Sequence, residues 1–116
     1  VSRPHEQAFD KSMRLLDSSE FRQAFSSGQR LRNREFTVIA RRNGLDHPRL
    51  GLAISRRSAA RAVDRNRIKR VVRESFRLNF SHLQNVDIVV QATSATRFRT
   101  NNALARKLDE LWAKIG

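Results

Sequence analysis

The sequence predicts an α+β domain in which helices cover one side of a largely antiparallel sheet. Three observations predict it. Apolar residues recur at helical spacing near both ends of the chain, at Phe21 and Phe25 and again at Leu104, Leu108, Leu111 and Ile115. Strand-like runs occupy 35–41, 49–55 and 86–92, and a long basic segment with apolar steps of three and four separates the second from the third. At 116 residues the chain fits one domain, 1–116, with a loosely patterned arm at about 1–12, and its zero cysteines exclude disulfide and thiolate-metal staples.

The elements follow in order. Asp17-Ser18-Ser19-Glu20 reads as a capping box, with Phe21 and Phe25 on one face and Gly28 as a left-handed stop, which predicts a helix over about 18–27. Phe36, Val38 and Ala40 alternate with Thr37, Ile39 and Arg41, so a strand carries Phe36 to the core. Turn chemistry in Asn43-Gly44-Leu45-Asp46-His47-Pro48 predicts a hairpin returning through Leu50, Leu52 and Ile54, where Gly51 leaves room on the opposite face. A long helix at about 58–79 takes Val63, Ile68, Val71, Val72, Ser75 and Phe76 as its core stripe. The β-branched, almost uncharged run from Val86 to Ala92 reads as an interior strand. Thr100 or Asn101 caps the last helix.

Charge narrows the function. The chain holds 24 Lys+Arg against 11 Asp+Glu, a formal +13, and only Lys11, Lys69, Lys107 and Lys114 are lysines. Such a surplus is self-repelling and answers a polyanion, and the arginine fork suits both phosphate and base stacking. Nine basic residues fall between 56 and 77, opposed by only Asp64 and Glu74. Arg61, Arg65, Lys69, Arg73 and Arg77 follow one another at steps of four, and Asn66, Arg70, Arg73 and Arg77 at i, i+4, i+7 and i+11. Like charges at i+4 weaken a helix by a few tenths of a kcal/mol per pair, which a phosphate backbone would offset. A solvated face normally mixes signs, and this one hardly does. Asn66, a mediocre helix former, can donate to and accept from a base edge or ribose hydroxyl.

Other chemistries find little support. His5, His47 and His82 lack metal-ligand spacing and pair with no nucleophile, the carboxylates are scattered, and no glycine-rich phosphate loop is present. The expectation is a polypeptide with no catalytic residues, no metal site and no cofactor of its own. No run approaches the roughly 18 apolar residues of a membrane span, and the start of the chain lacks the apolar core of a secretory signal, so a cytoplasmic protein is the simplest reading.

Arg65-Asn66-Arg67-Ile68-Lys69-Arg70-Val71-Val72-Arg73-Glu74, preceded by the basic pair Arg56-Arg57, closely resembles the signature of the bacterial ribonuclease P protein subunit. Phe21-Arg22-Gln23-Ala24-Phe25, the Gly51-containing strand and Val86-Asp87-Ile88-Val89-Val90 resemble the family's other segments, so the likeness runs over about 9–115. The resemblance implies a two-layer α/β sandwich: an approximately four-stranded mixed sheet and three helices in the order α-β-β-(β)-α-β-α, with a left-handed crossover. It implies an endoribonuclease whose catalyst is an RNA that uses magnesium to remove the 5′ leader of precursor tRNA. The protein would be a non-catalytic accessory. Arg56, Arg57, Arg61, Arg65, Asn66, Arg67, Lys69, Arg70 and Arg73 would dock on the catalytic RNA. Phe21, Phe25, Thr37, Ile39 and Ser55 would form a cleft for the single-stranded leader of the precursor tRNA. Neither a membrane nor an obligate protein partner is implied. Some members carry an aromatic where Ile39 stands, or basic residues where Gln91-Ala92-Thr93 stands; here cations return at Arg97 and Arg99.

Two other classes share the charge. A ribosomal type of structural RNA-binding protein gives no reason for the signature beside a Phe-containing strand. A DNA-binding regulator wants a short helix and tight turn before its recognition helix, and here a strand precedes it. Binding of the amphipathic helix to a membrane surface would take an apolar stripe that the core needs.

Overall fold

The computed structural model describes residues 18–115. The expected arm at 1–12 and the Asp17 cap lie outside the described residues, as do the side chains of Glu20 and Phe21. The order is α1 (Ser18–Ser27), β1 (Gln29–Arg32), β2 (Phe36–Arg42), β3 (Arg49–Ala53), α2 (Ala62–Leu78), β4 (Val86–Ala92) and α3 (Asn101–Trp112), with 3-10 turns at Phe80–His82 and Ser94–Phe98. The strands form one four-stranded mixed sheet in the order β1-β2-β4-β3. The α+β class is as the sequence predicts.

The hairpin between β2 and β3 does not form, because β4 lies between them, antiparallel to β2 and parallel to β3. The cause is burial. Ile88 and Val90 enter one core, Val89 enters another, and a strand apolar on both faces belongs at the centre of a sheet. The Asn43 side chain instead shapes an open turn, accepting from the Leu45 N–H (2.8 Å) and donating to the His47 carbonyl (3.1 Å) and Asp87 (2.9 Å), while Gly44 takes φ 71°. β1 brings the strands between the first two helices to three, a number the sequence reading left open without locating this one. Only Leu31 of its four residues packs inward, so it carries little alternating pattern and sits at the edge.

Helices cover both faces of the sheet rather than one. Against the first face, α2 brings Ile68, Val71, Val72 and Phe76, and α3 brings Leu104, Leu108, Leu111 and Trp112, onto Phe36, Val38, Leu50, Ile88 and Val90. Against the second, α1 sets Ala24 and Phe25 on Ile39, Val89 and Ala53. Each fully buried aliphatic or aromatic side chain contributes on the order of 2 kcal/mol, so the first face carries most of the stability. Trp112 Nε1 donates to Ser75 Oγ (2.7 Å), which satisfies both polar atoms inside the helix pair.

Three local expectations change. Gly28 is not left-handed. It is small because a Cβ there would lie 2.5 Å from the Ala24 carbonyl oxygen and 2.6 Å from Ile39 Cγ2. Helix α2 starts at Ala62, not 58, because Ser55 holds residues 58 and 59 in a turn through its carbonyl (3.1 and 3.2 Å). Val63 is 59% exposed, since it shares a helical face with Asn66 and Arg70. At the other end Thr100 caps α3 as expected, its hydroxyl accepting from the Ala103 N–H (3.1 Å).

Two ion pairs pin the sheet. Arg49 grips buried Asp87 in bidentate fashion (2.8 and 2.7 Å) across the parallel β3–β4 pair. Glu35, 1% exposed, accepts from Arg99 Nε (2.9 Å) and ties the β1–β2 turn to the segment before α3.

Candidate nucleic-acid interface

The carboxyl ends of β3 and β4 point the same way, and both chains continue from there into helices. That end of the sheet therefore collects the 54–61 loop, the 94–99 segment and the amino ends of α2 and α3. Ser58 Oγ donates to the Ala92 carbonyl and holds the loop against the end of β4. Arg56, Arg57 and Arg61 stand exposed on that loop, and Arg97 and Arg99 on the neighbouring segment. Each helix amino end adds a partial positive charge to this surface.

The basic helix divides its cations between two tasks. Arg65 Nη1 donates to the Ala59 (3.0 Å) and Ala60 (2.7 Å) carbonyls, so it braces the loop that carries Arg56, Arg57 and Arg61. Arg67 reaches the other way, to Asn101 Oδ1 (2.6 Å), the Arg99 carbonyl (3.3 Å) and the Thr96 carbonyl (3.3 Å). Asn66, Arg70 and Arg73 are exposed between them, and Lys69 is half-buried. A step of four residues advances about 40° around a helix of 3.6 residues per turn. The row Arg65, Lys69, Arg73 consequently starts at the flank and rotates outward. Asn66, Arg70 and Arg73, at i, i+4 and i+7, stay on one outward stripe. Arg77 pairs with Glu74, and Arg61 with Asp64 at 3.8 Å.

Of the predicted cleft residues, Phe25, Thr37, Ile39 and Ser55 belong to the opposite face of the sheet or its margin. Ile39 is fully buried under α1 with Val89, so it is the floor beneath the helix rather than an open surface. Phe25 is half-buried against the same cluster and, with Arg22, lines a shallow depression on α1 of about 630 Å³. The Phe21 side chain lies outside the described residues. One register step from Ile39, the row Arg32, Thr37, Gln91 and Ala53 crosses all four strands. Thr37, Gln91 and Ala53 are each half-buried and Arg32 is exposed, so the floor opens as it leaves α1. Ser55, exposed, lies two residues beyond Ala53.

Sequence reasoning singled out neither Arg32, on the open row, nor Phe98, on the 94–99 segment. Arg32 stands on a strand with no alternating pattern; Gln91 stands out in the sequence only as a neutral residue where some family members are basic. The triplet Arg97-Phe98-Arg99 could have been found as an aromatic between cations. His47 is a turn residue whose Nδ1 lies 3.0 Å from Asp46 Oδ1; that hydrogen bond leads the effects lowering the exposed Asp46 carboxyl below the usual range. Among the described residues no three His, Cys, Asp or Glu side chains are grouped to hold a metal ion. No helix of the described residues is long and apolar enough to cross a membrane.

Residues 9–116 match the family model described as Ribonuclease P. The ribonuclease P protein component of Nitrosococcus oceani is 45% identical over 104 residues, 90% of this chain and 87% of that protein. That of Methylococcus capsulatus is 47% identical over 104 residues, 90% and 81% of the two chains. Among solved structures, the RNase P protein of Staphylococcus aureus superposes with a TM-score of 0.83 at 32% identity, covering 90% of this chain and 98% of that one. The RNase P protein of Thermotoga maritima does so with a TM-score of 0.81 at 33% identity, covering 89% and 97%.

Proposed function

Since the chain belongs to the ribonuclease P protein family, subunits of a tRNA-processing endoribonuclease, we propose that its cationic sheet end docks on the catalytic RNA and its α1 face holds the precursor's 5′ leader. The outward stripe of Asn66, Arg70 and Arg73 between two braced flanks carries this reading. Arg56, Arg57, Arg61, Arg70 and Arg73 meet phosphates, with Lys69 beside them, and Asn66 supplies a contact to a base edge or ribose hydroxyl. Arg65 and Arg67 position the two flanking segments, and each guanidinium, with five N–H donors, also has donors to offer RNA.

A leader of no fixed sequence has to be held by shape, stacking and charge. Phe25 and Arg22 on α1 and the open row Arg32, Thr37, Gln91 and Ala53, with Ser55 at its margin, offer those elements. In this reading the RNA binds the magnesium and performs the hydrolysis, and the polypeptide raises affinity and orients the leader. The complex works in the cytoplasm with tRNA precursors as substrate.

Reconstitution tests the proposal. The protein is added to a bacterial ribonuclease P RNA at low magnesium with 5′-extended precursor tRNA, and cleavage is followed. Stimulation is expected. Failure to stimulate would overturn the reading, and cleavage by the protein without RNA would overturn the division of labour.

A further inference from the structure

Phe98 is 77% exposed, the most exposed large apolar side chain among the described residues. It does not sit on a loose loop. Thr93 and Thr96 close the 3-10 turn Ser94–Phe98 through the Ala95 N–H (3.3 Å) and the Thr93 carbonyl (2.8 Å), and Thr96 is fully buried. Arg67 holds the same turn to the basic helix, and Arg99 anchors its far side to buried Glu35. The ring is therefore presented on a backbone fixed from three sides, so little ordering cost remains to be met on binding.

Its surroundings define the partner. The Arg97 guanidinium carbon lies 5.4 Å from the ring centroid, and Arg99 follows directly. An exposed aromatic ring beside a cation, on the segment next to the basic helix, matches a nucleobase with its adjoining phosphate. We propose that Phe98 is a stacking platform for one unpaired base of the catalytic RNA, with Arg97 contacting the adjoining phosphate. This site extends the docking surface assigned above and rests on that reading. It belongs to the catalytic RNA rather than to the leader because Arg67 couples it to α2, on the sheet face opposite α1.

The test is equilibrium binding of the full chain to a bacterial ribonuclease P RNA across a salt series. Phe98→Ala is expected to weaken binding about tenfold without changing the salt slope, since no charge is lost. Phe98→Leu keeps apolar volume without a π face and should lose as much, whereas Phe98→Trp should bind at least as well as the parent. Arg97→Ala should reduce the salt slope by about one ionic contact. If the parent chain fails to bind the RNA, the docking reading itself falls. If the parent binds and the alanine or leucine variant binds equally well, the stacking platform falls alone. Loss confined to affinity of the assembled holoenzyme for leader-bearing precursor would also overturn it, by moving Phe98 to the substrate side.

Discussion

At the scale of single residues, the arginines that look alike in sequence do different things. Arg70 faces outward, so Arg70→Ala is expected to weaken binding to the catalytic RNA and lower the salt slope by about one, leaving the melting temperature nearly unchanged. Arg67→Ala removes bonds to three groups around α3, so it should lower the melting temperature as well as RNA affinity. Thermal melts paired with salt-dependent binding separate the two cases. Gly28 offers a purer test of packing. A methyl group there must displace either the Ala24 carbonyl or Ile39, so Gly28→Ala should cost roughly 2 kcal/mol in a urea titration. Arg99→Ala strands a buried carboxylate and should cost about 2–3 kcal/mol, moderated because Arg99 itself is partly exposed. None of these distinctions was legible from sequence. Position along the chain shows that Arg65 and Arg67 flank Asn66, but not which carbonyls lie within reach of each.

At the scale of elements, the reading of the sequence was good wherever periodicity met burial. The helix at 18–27 and the strand at 86–92 agree with the predicted spans: Phe21 and Phe25 recur at helical spacing, and the β-branched run of the strand is buried on both faces. The start of α2 was misplaced by four residues, because Ser58-Ala59-Ala60-Arg61 has good helix propensity while Ser55 and Arg65 hold it in a turn. β1 escaped because an edge strand of Gln-Arg-Leu-Arg buries one side chain and repeats nothing. The leader surface was half legible. The alternation of Thr37 and Ile39 puts both on the α1 face of β2, but whether α1 covers a given row depends on helix placement, which alternation does not encode. As a result Ile39 is floor, and the place of Gln91 on the open row is visible only in the sheet register.

At the scale of the whole molecule, the formal charge of +13 has two opposing consequences. Free protein is strained by its own repulsion, so added salt should raise its melting temperature. The RNA complex is held by released counterions, so the same salt should weaken it steeply. Calorimetry of the free chain and binding to the catalytic RNA over one salt series should therefore slope in opposite directions. A free chain destabilised by moderate salt would refute the repulsion account. The charge is concentrated where partners are proposed: residues 81–96 contain no lysine or arginine, while residues 56–77 hold nine.

The strand order also sets a timetable for biosynthesis. β1 and β2 can pair as soon as both have emerged, but β3 has no partner until β4, some 33 residues later, is made. At translation speeds of about 5–20 residues per second, the nascent chain carries an unpaired apolar strand for roughly two to seven seconds. During that interval the chain adds α2, whose cations repel neighbouring copies, and the short 3-10 turn at Phe80–His82. A truncated chain ending before β4 should accordingly lack the sheet and its amide protection in hydrogen exchange, retaining at most the β1–β2 hairpin.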